Sequence, residues 1–80
     1  MDIKDLLSKD LIKQVAKETG EKQTTTKSVL TNALPMLQNL LGGQTTTQEV
    51  ATQVSTQTKT DQNKIISILT AALPLIKKVL

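Results

Sequence analysis

The sequence predicts an all-α protein, a compact array of five or six short helices that contains an internal tandem repeat. Two observations predict this fold class. The chain matches itself after a shift of 39 residues, and its apolar residues recur every three or four positions, the period of a helix with one buried face. Because 80 residues make one domain at most, we expect a single helical domain over 1–80, with repeat one at 10–41 and repeat two at 49–80.

The two copies of the repeat align over thirty residues without a gap. The shift lays Ile12–Leu41 over Ala51–Leu80, and eleven of the thirty aligned pairs are identical. Both copies carry Ala-Leu-Pro at the same place, at Ala33–Pro35 and at Ala72–Pro74. This self-similarity indicates an internal duplication, in which each copy forms one pair of helices.

The first helix of copy one follows a short helix predicted at about Ile3–Leu7. It places Leu11, Val15 and Ala16 on one face. Gly20 suits the position just after its last turn, where a left-handed backbone favours glycine.

The second helix of copy one is predicted from about Thr26 to Leu41, and Gly42-Gly43 ends it. The threonines at 24–26 offer a hydroxyl group for its N-cap. We interpret the threonine-rich stretches 24–26 and 45–47 as caps and turns rather than linkers, because each directly precedes an apolar-periodic segment.

Copy two repeats this plan. Thr46 and Glu49 form a capping-box pattern at the start of a polar helix. The thin apolar stripe of that helix consists of Val50, Ala51 and Val54. Either Thr60 or Asp61 is predicted to cap the last helix, which runs from about Gln62 to Leu80.

Pro35 and Pro74 lie inside the two long helical segments. A proline removes one backbone hydrogen bond and clashes with the carbonyl group four residues earlier. We therefore expect a kink in both long helices, or a break of each into two short helices directly before its proline.

The composition argues against an enzyme. The chain has no Cys, His, Phe, Tyr or Trp, so disulfides, thiolate metal sites and the commonest general base are excluded. We predict no catalytic, cofactor-binding or metal-binding residues, and no cofactor. Ten Lys against seven acids give a net charge of +3 that is spread along the chain, and there is no Arg, which disfavours nucleic-acid binding.

The last helix is the most apolar element, with apolar residues on nearly all of its faces. Such a helix is either surrounded by the rest of its domain or faces a partner. Few short helices can enclose it, which favours self-association, a protein partner or a C-terminal continuation of the chain. The predicted interface residues are Ile65, Ile66, Leu69, Leu73, Leu75, Ile76, Val79 and Leu80.

The sequence predicts no membrane span. Its longest uncharged apolar-rich run, 65–76, has twelve residues, whereas a spanning helix needs about 20. The first five residues are mixed in charge and lack the apolar core of a signal peptide. We therefore expect a cytoplasmic protein.

Several short motifs resemble those of the bacterial YidB-like family, a domain of unknown function. They are Asp5-Leu6-Leu7, Ile12-x-x-Val15-Ala16-x-x-Thr19-Gly20, Val29-Leu30-x-x-Ala33-Leu34-Pro35-x-Leu37 and, in copy two, Ala72-Leu73-Pro74-Leu75-Ile76. The resemblance covers most of the chain. It implies an all-helical fold without an established activity, and it transfers no functional residues.

A second, local resemblance is to the opening helices of histone-like HU proteins, at Leu11–Gly20. HU proteins bind DNA with β-arms that carry Arg and an intercalating Pro. Here residues 42–80 show no strand-like alternation and no Arg. The predicted function is therefore a non-catalytic helical domain for protein interaction or self-association, with an HU-like nucleic-acid-binding protein as the alternative.

Overall fold

Four α-helices make up the part of the chain that the computed structural model describes, the backbone of residues 8–79 and the side chains of 8–78. They are α1 (Lys9–Thr19), α2 (Gln23–Leu41), α3 (Thr47–Thr58) and α4 (Gln62–Val79). No strand occurs in these residues, which confirms the all-α class. The described residues form four helices and not the expected five or six, and both proline-containing segments stay single helices. The short helix predicted at 3–7 lies outside the described residues.

Side-chain hydroxyl groups cap the two shorter helices. The amide of Leu11 donates to Ser8 Oγ at 3.2 Å, and the amide of Glu49 donates to Thr46 Oγ1 at 3.2 Å. Each hydroxyl satisfies one of the amides that a helix start leaves without a partner. The Glu49 carboxylate accepts the Thr45 hydroxyl at 2.9 Å, so Thr46 caps its helix as predicted while Glu49 bonds a neighbouring threonine.

The start of α2 differs from the prediction. The helix begins at Gln23, and Lys22 occupies the N-cap position without a side-chain cap hydrogen bond. The prediction that Thr24–Thr26 supply the cap is therefore wrong, since these residues form the first turns of the helix. Gly42-Gly43 ends α2 as predicted, and Gly43 has a φ of 77°.

The turn between the two helices of a copy is built in the same way in both copies. Gly20 follows α1 with a φ of 73°, and Lys59, 39 positions later, follows α3 with a φ of 58°. Both backbones are left-handed, as predicted for Gly20. Asp61 then caps α4 by accepting the amide of Asn63 on Oδ1 at 2.9 Å, which decides between the two predicted capping residues.

Both prolines lie on the solvent side of uninterrupted helices. Pro35 in α2 and Pro74 in α4 are exposed, and so are Thr31 and Thr70, whose carbonyl groups lose their amide donors. Water can bond these carbonyl oxygens, which makes the missing hydrogen bond tolerable. The alternative that each helix breaks before its proline is wrong, and the kink stays a prediction.

The core is aliphatic and repeats with the sequence. Each buried position of α2 is matched by a buried position of α4 that lies 39 residues later. The pairs are Thr26 and Ile65, Val29 and Ile68, Leu30 and Leu69, Ala33 and Ala72, and Leu37 and Ile76. The duplication therefore extends from the sequence to the packing.

Each copy packs its helices against those of the other copy. α1 lies against α2 of its own copy and against α4 of the other, while α3 lies against α4 and α2, and α2 contacts α4. The contact of α1 with α4 thus corresponds to the contact of α3 with α2. α1 runs antiparallel to α4, because Leu11 near its start lines a groove with Leu75, whereas Thr19 at its end lines one with Ile66.

Candidate functional site

The structure divides the predicted interface residues between the core and the surface. Ile65, Leu69 and Ile76 have no exposed surface and belong to the core of their own chain. They lie on the side of α4 that α1, α2 and α3 together enclose. The partner helix of its own copy would not suffice to cover this side. Ile66, Leu73 and Leu75 are half-buried, and they are the predicted interface residues that reach the surface among the described side chains. The side chain of Val79, and Leu80, lie outside the described residues.

The surface of residues 8–78 is polar almost throughout. No Ala, Val, Leu, Ile or Met in this stretch has an exposed side chain. The half-buried members of this group lie on the flanks of the long helices: Leu34, Met36, Leu40, Leu41, Ile66, Ala71, Leu73 and Leu75. Within residues 8–78, apolar contact with a partner would use these flanks.

A first shallow groove lies between α1 and the start of α2 and has a volume of about 400 Å³. Its lining, which we call the lysine groove, consists of Lys9, Ile12, Lys13, Gln23, Thr24 and Lys27. Three lysines line this groove, and no acidic residue lines it. In the sequence the lysines are spread along the chain. Lys9 and Lys13 come to lie near Lys27 only because α1 packs against α2.

The second groove, the α4 groove, crosses the outer side of α4 near the end of α1 and has a volume of about 460 Å³. Its lining consists of Glu18, Thr19, Ile66, Ser67, Thr70 and Ala71. A third groove of about 340 Å³ joins the start of α1 to the end of α4, and there Asp10 and Lys78 accompany Leu75.

Titratable groups do not assemble into a chemical site in the described part of the chain. No group of three or more Asp, Glu, His or Cys there is placed to hold a metal ion. Thr26 is the buried polar residue of that part, and no buried side-chain nitrogen or oxygen atom there lacks a hydrogen-bond partner. None of the helices described is long and apolar enough to cross a membrane.

Comparison with known proteins gives a family match over nearly the whole chain. The sequence profile of DUF937, described as a bacterial protein of unknown function, matches residues 2–54 and 39–80. Each matched segment contains one complete copy of the repeat. The match confirms the YidB-like resemblance, and it gives no support to the resemblance to HU proteins. No curated protein and no solved structure gives a significant match.

Proposed function

This chain belongs to the DUF937 family of bacterial proteins of unknown function, and we propose that it is a non-catalytic interaction domain that self-associates through the α4 groove. The observation that carries the proposal is a difference between the two copies. The buried positions of α2 and α4 correspond, but on the outer side of α4 the residue types of the two copies diverge.

At two equivalent positions copy one has a polar side chain and copy two has an apolar one. Copy two has the half-buried Ile66 and Ala71, and copy one has Lys27 and Asn32 at the same two places. Because Lys27 fits this position in α2, the fold itself does not need an apolar residue there. Ile66 and Ala71 pack against the edge of the core, and the part of their surface that the core leaves uncovered is available for apolar contact with a partner.

The surroundings of Ile66 and Ala71 suit a small helix–helix contact. Ser67 and Thr70 are exposed between them, and their short side chains let a second helix approach closely. Glu18 and Thr19 add a polar rim, the usual surround of an apolar interface centre. A second copy that presents the same face across a two-fold axis is the simplest occupant.

The self-association that we propose is weak. A standard interface buries about 800 Å² on each partner, a large share of the 5090 Å² of accessible surface of this chain. Only two of the six residues that line the α4 groove, Ile66 and Ala71, are apolar. We therefore expect a concentration-dependent dimer rather than a permanent one.

Sedimentation equilibrium tests this proposal with residues taken from copy one. The double variant Ile66→Lys/Ala71→Asn gives α4 the residues that α2 carries at the equivalent positions, so it should fold. We expect the wild-type chain to shift toward dimer as concentration rises, and the double variant to stay monomeric with an unchanged circular dichroism spectrum.

Gln53→Lys on the exposed side of α3 is the matched control, because it adds the same charge away from the α4 groove. It should dimerise like the wild type. A wild-type chain that stays monomeric up to millimolar concentration contradicts the proposal, and so does a double variant that dimerises normally.

A further inference from the structure

We propose that the lysine groove of copy one binds a compact phosphate ligand that carries several negative charges. The proposal rests on the convergence of Lys9, Lys13 and Lys27 around one groove, and on their absence from the equivalent place in copy two. It concerns a different surface from the α4 groove and does not depend on self-association.

Three lysines and no acid are found among the described residues that line the lysine groove. Lys9 and Lys13 stand one turn apart on α1, and Lys27 faces them from α2 across the nearly buried Ile12. The acids of α1 point elsewhere, since Asp10 lines the groove beside Leu75 and Glu18 lines the α4 groove. The groove therefore holds three like charges, which repel one another when it is empty.

Copy two shows that the fold does not require these lysines. The residues 39 positions after Lys9, Lys13 and Lys27 are Gln48, Thr52 and Ile66. There Gln62 Nε2 donates to Thr52 Oγ1 at 3.2 Å, so neutral side chains bridge the two helices. Since copy two folds without a lysine at any of these positions, the fold does not require the lysines of copy one, and a ligand accounts for them.

The size and chemistry of the groove indicate the class of ligand. Its volume of about 400 Å³ falls within the range of small-molecule sites, about 300–1,000 Å³. Lysine binds phosphate as a point charge, and three ammonium groups match a ligand with at least two phosphate charges. Gln23 and Thr24 add polar side chains on the α2 wall.

An NMR titration of the ¹⁵N-labelled chain with inorganic pyrophosphate tests the assignment. We expect the amide signals of Lys9, Lys13, Gln23, Thr24 and Lys27 to shift saturably. The signals of Gln48, Thr52 and Gln62 provide an internal control and should stay in place. Citrate, a carboxylate ligand of similar charge, should bind more weakly. Equal binding of citrate, or shifts spread over all lysines, would overturn the assignment of a phosphate site.

Two triple variants separate a defined site from general charge attraction. Lys9→Gln/Lys13→Thr/Lys27→Ile gives copy one the residues of copy two, and Lys59→Gln/Lys64→Gln/Lys77→Gln removes the same charge elsewhere. At 0.15 M salt, where distant charges are screened, the first variant should weaken pyrophosphate binding at least about tenfold. The second should leave the affinity nearly unchanged.

An equal loss of affinity in both variants overturns the proposal, as does pyrophosphate binding that survives the groove variant. Titration with vesicles of phosphatidylglycerol and with duplex DNA distinguishes the alternatives. Tighter binding of either one at the same five amides would replace the small phosphate ligand by that partner. The measurements are made at concentrations where the chain is monomeric, so their outcome is separate from that of the dimerisation experiment.

Discussion

Thr26 places a hydroxyl group inside an otherwise aliphatic core. Its side chain has no exposed surface, and the hydroxyl donates to the carbonyl oxygen of Lys22 at 3.0 Å. The same oxygen already accepts the amide of Thr26 at 2.9 Å. The hydroxyl is therefore satisfied but not needed for the pairing of the backbone, and copy two has Ile65 at this position.

Replacing Thr26 by Val should raise the free energy of unfolding by up to about 1 kcal/mol, because a methyl group gains burial and the Lys22 carbonyl keeps its amide donor. The reciprocal change, Ile65→Thr, should lower it by about 2 kcal/mol, since it removes buried apolar volume. Urea denaturation measures both. A loss of stability in Thr26→Val would show that the hydroxyl hydrogen bond outweighs the gain in burial.

Lys59 has a left-handed backbone that its counterpart Gly20 adopts without strain. Lys59→Gly should therefore raise the free energy of unfolding by about 1 kcal/mol, because a residue with a Cβ atom pays that much in this conformation. Gly20→Ala should lower it by a similar amount. No atom lies within 4 Å of a Cβ atom built at Gly20, so the cost there is conformational and not steric crowding. Thermal unfolding compares the two, and changes of the same sign would contradict the argument.

At the scale of helices, sequence patterns predict the elements better than their starts. The stripes at Leu11–Ala16 and Val50–Val54 follow directly from apolar periodicity, and the Thr46 and Asp61 caps from local hydroxyl and carboxylate chemistry. The start of α2 does not follow, because Lys22 is a poor capping residue and three threonines stand just beyond it. The helix begins early because packing carries Thr26 into the core, which a local pattern does not reveal.

Pro35 and Pro74 give the prediction that belongs to this scale. Both are exposed, so Pro35→Ala or Pro74→Ala removes no buried contact and restores an amide donor to Thr31 or Thr70. The free energy of unfolding should rise by roughly 1–3 kcal/mol, less than the full penalty of a proline if the helix bends around the core. A decrease in urea-denaturation experiments on either variant would mean that the core requires a proline-induced bend.

For the whole molecule, the arrangement of the helices decides what the sequence leaves open. The sequence predicts the repeat and the core stripes, but it does not predict which helices pack against one another. α4 looks apolar on every side because Ile66, Leu73 and Leu75 flank its core stripe. Only the packing of α1 and α3 against it shows that these flanks are half-covered. The lysine groove is hidden for the same reason, since its lysines belong to two helices.

Because the helices of each copy pack against those of the other, the folding of one copy depends on the presence of the other. Besides their contacts within a copy, α1 packs on α4 and α3 packs on α2, so a single copy leaves part of the buried side of each of its helices uncovered. The copies meet at Gly42–Gln44, a short exposed connection where the chain can be divided with little loss of contact. We expect peptides 1–43 and 44–80 to be largely unfolded when separate and dilute, because isolated short helices are marginal in water. An equimolar mixture should regain the helical circular dichroism signal and the cooperative thermal unfolding of the intact chain. Cooperative unfolding of a dilute, monomeric single-copy peptide would show that each copy forms its own core, and would contradict the dependence that the packing implies.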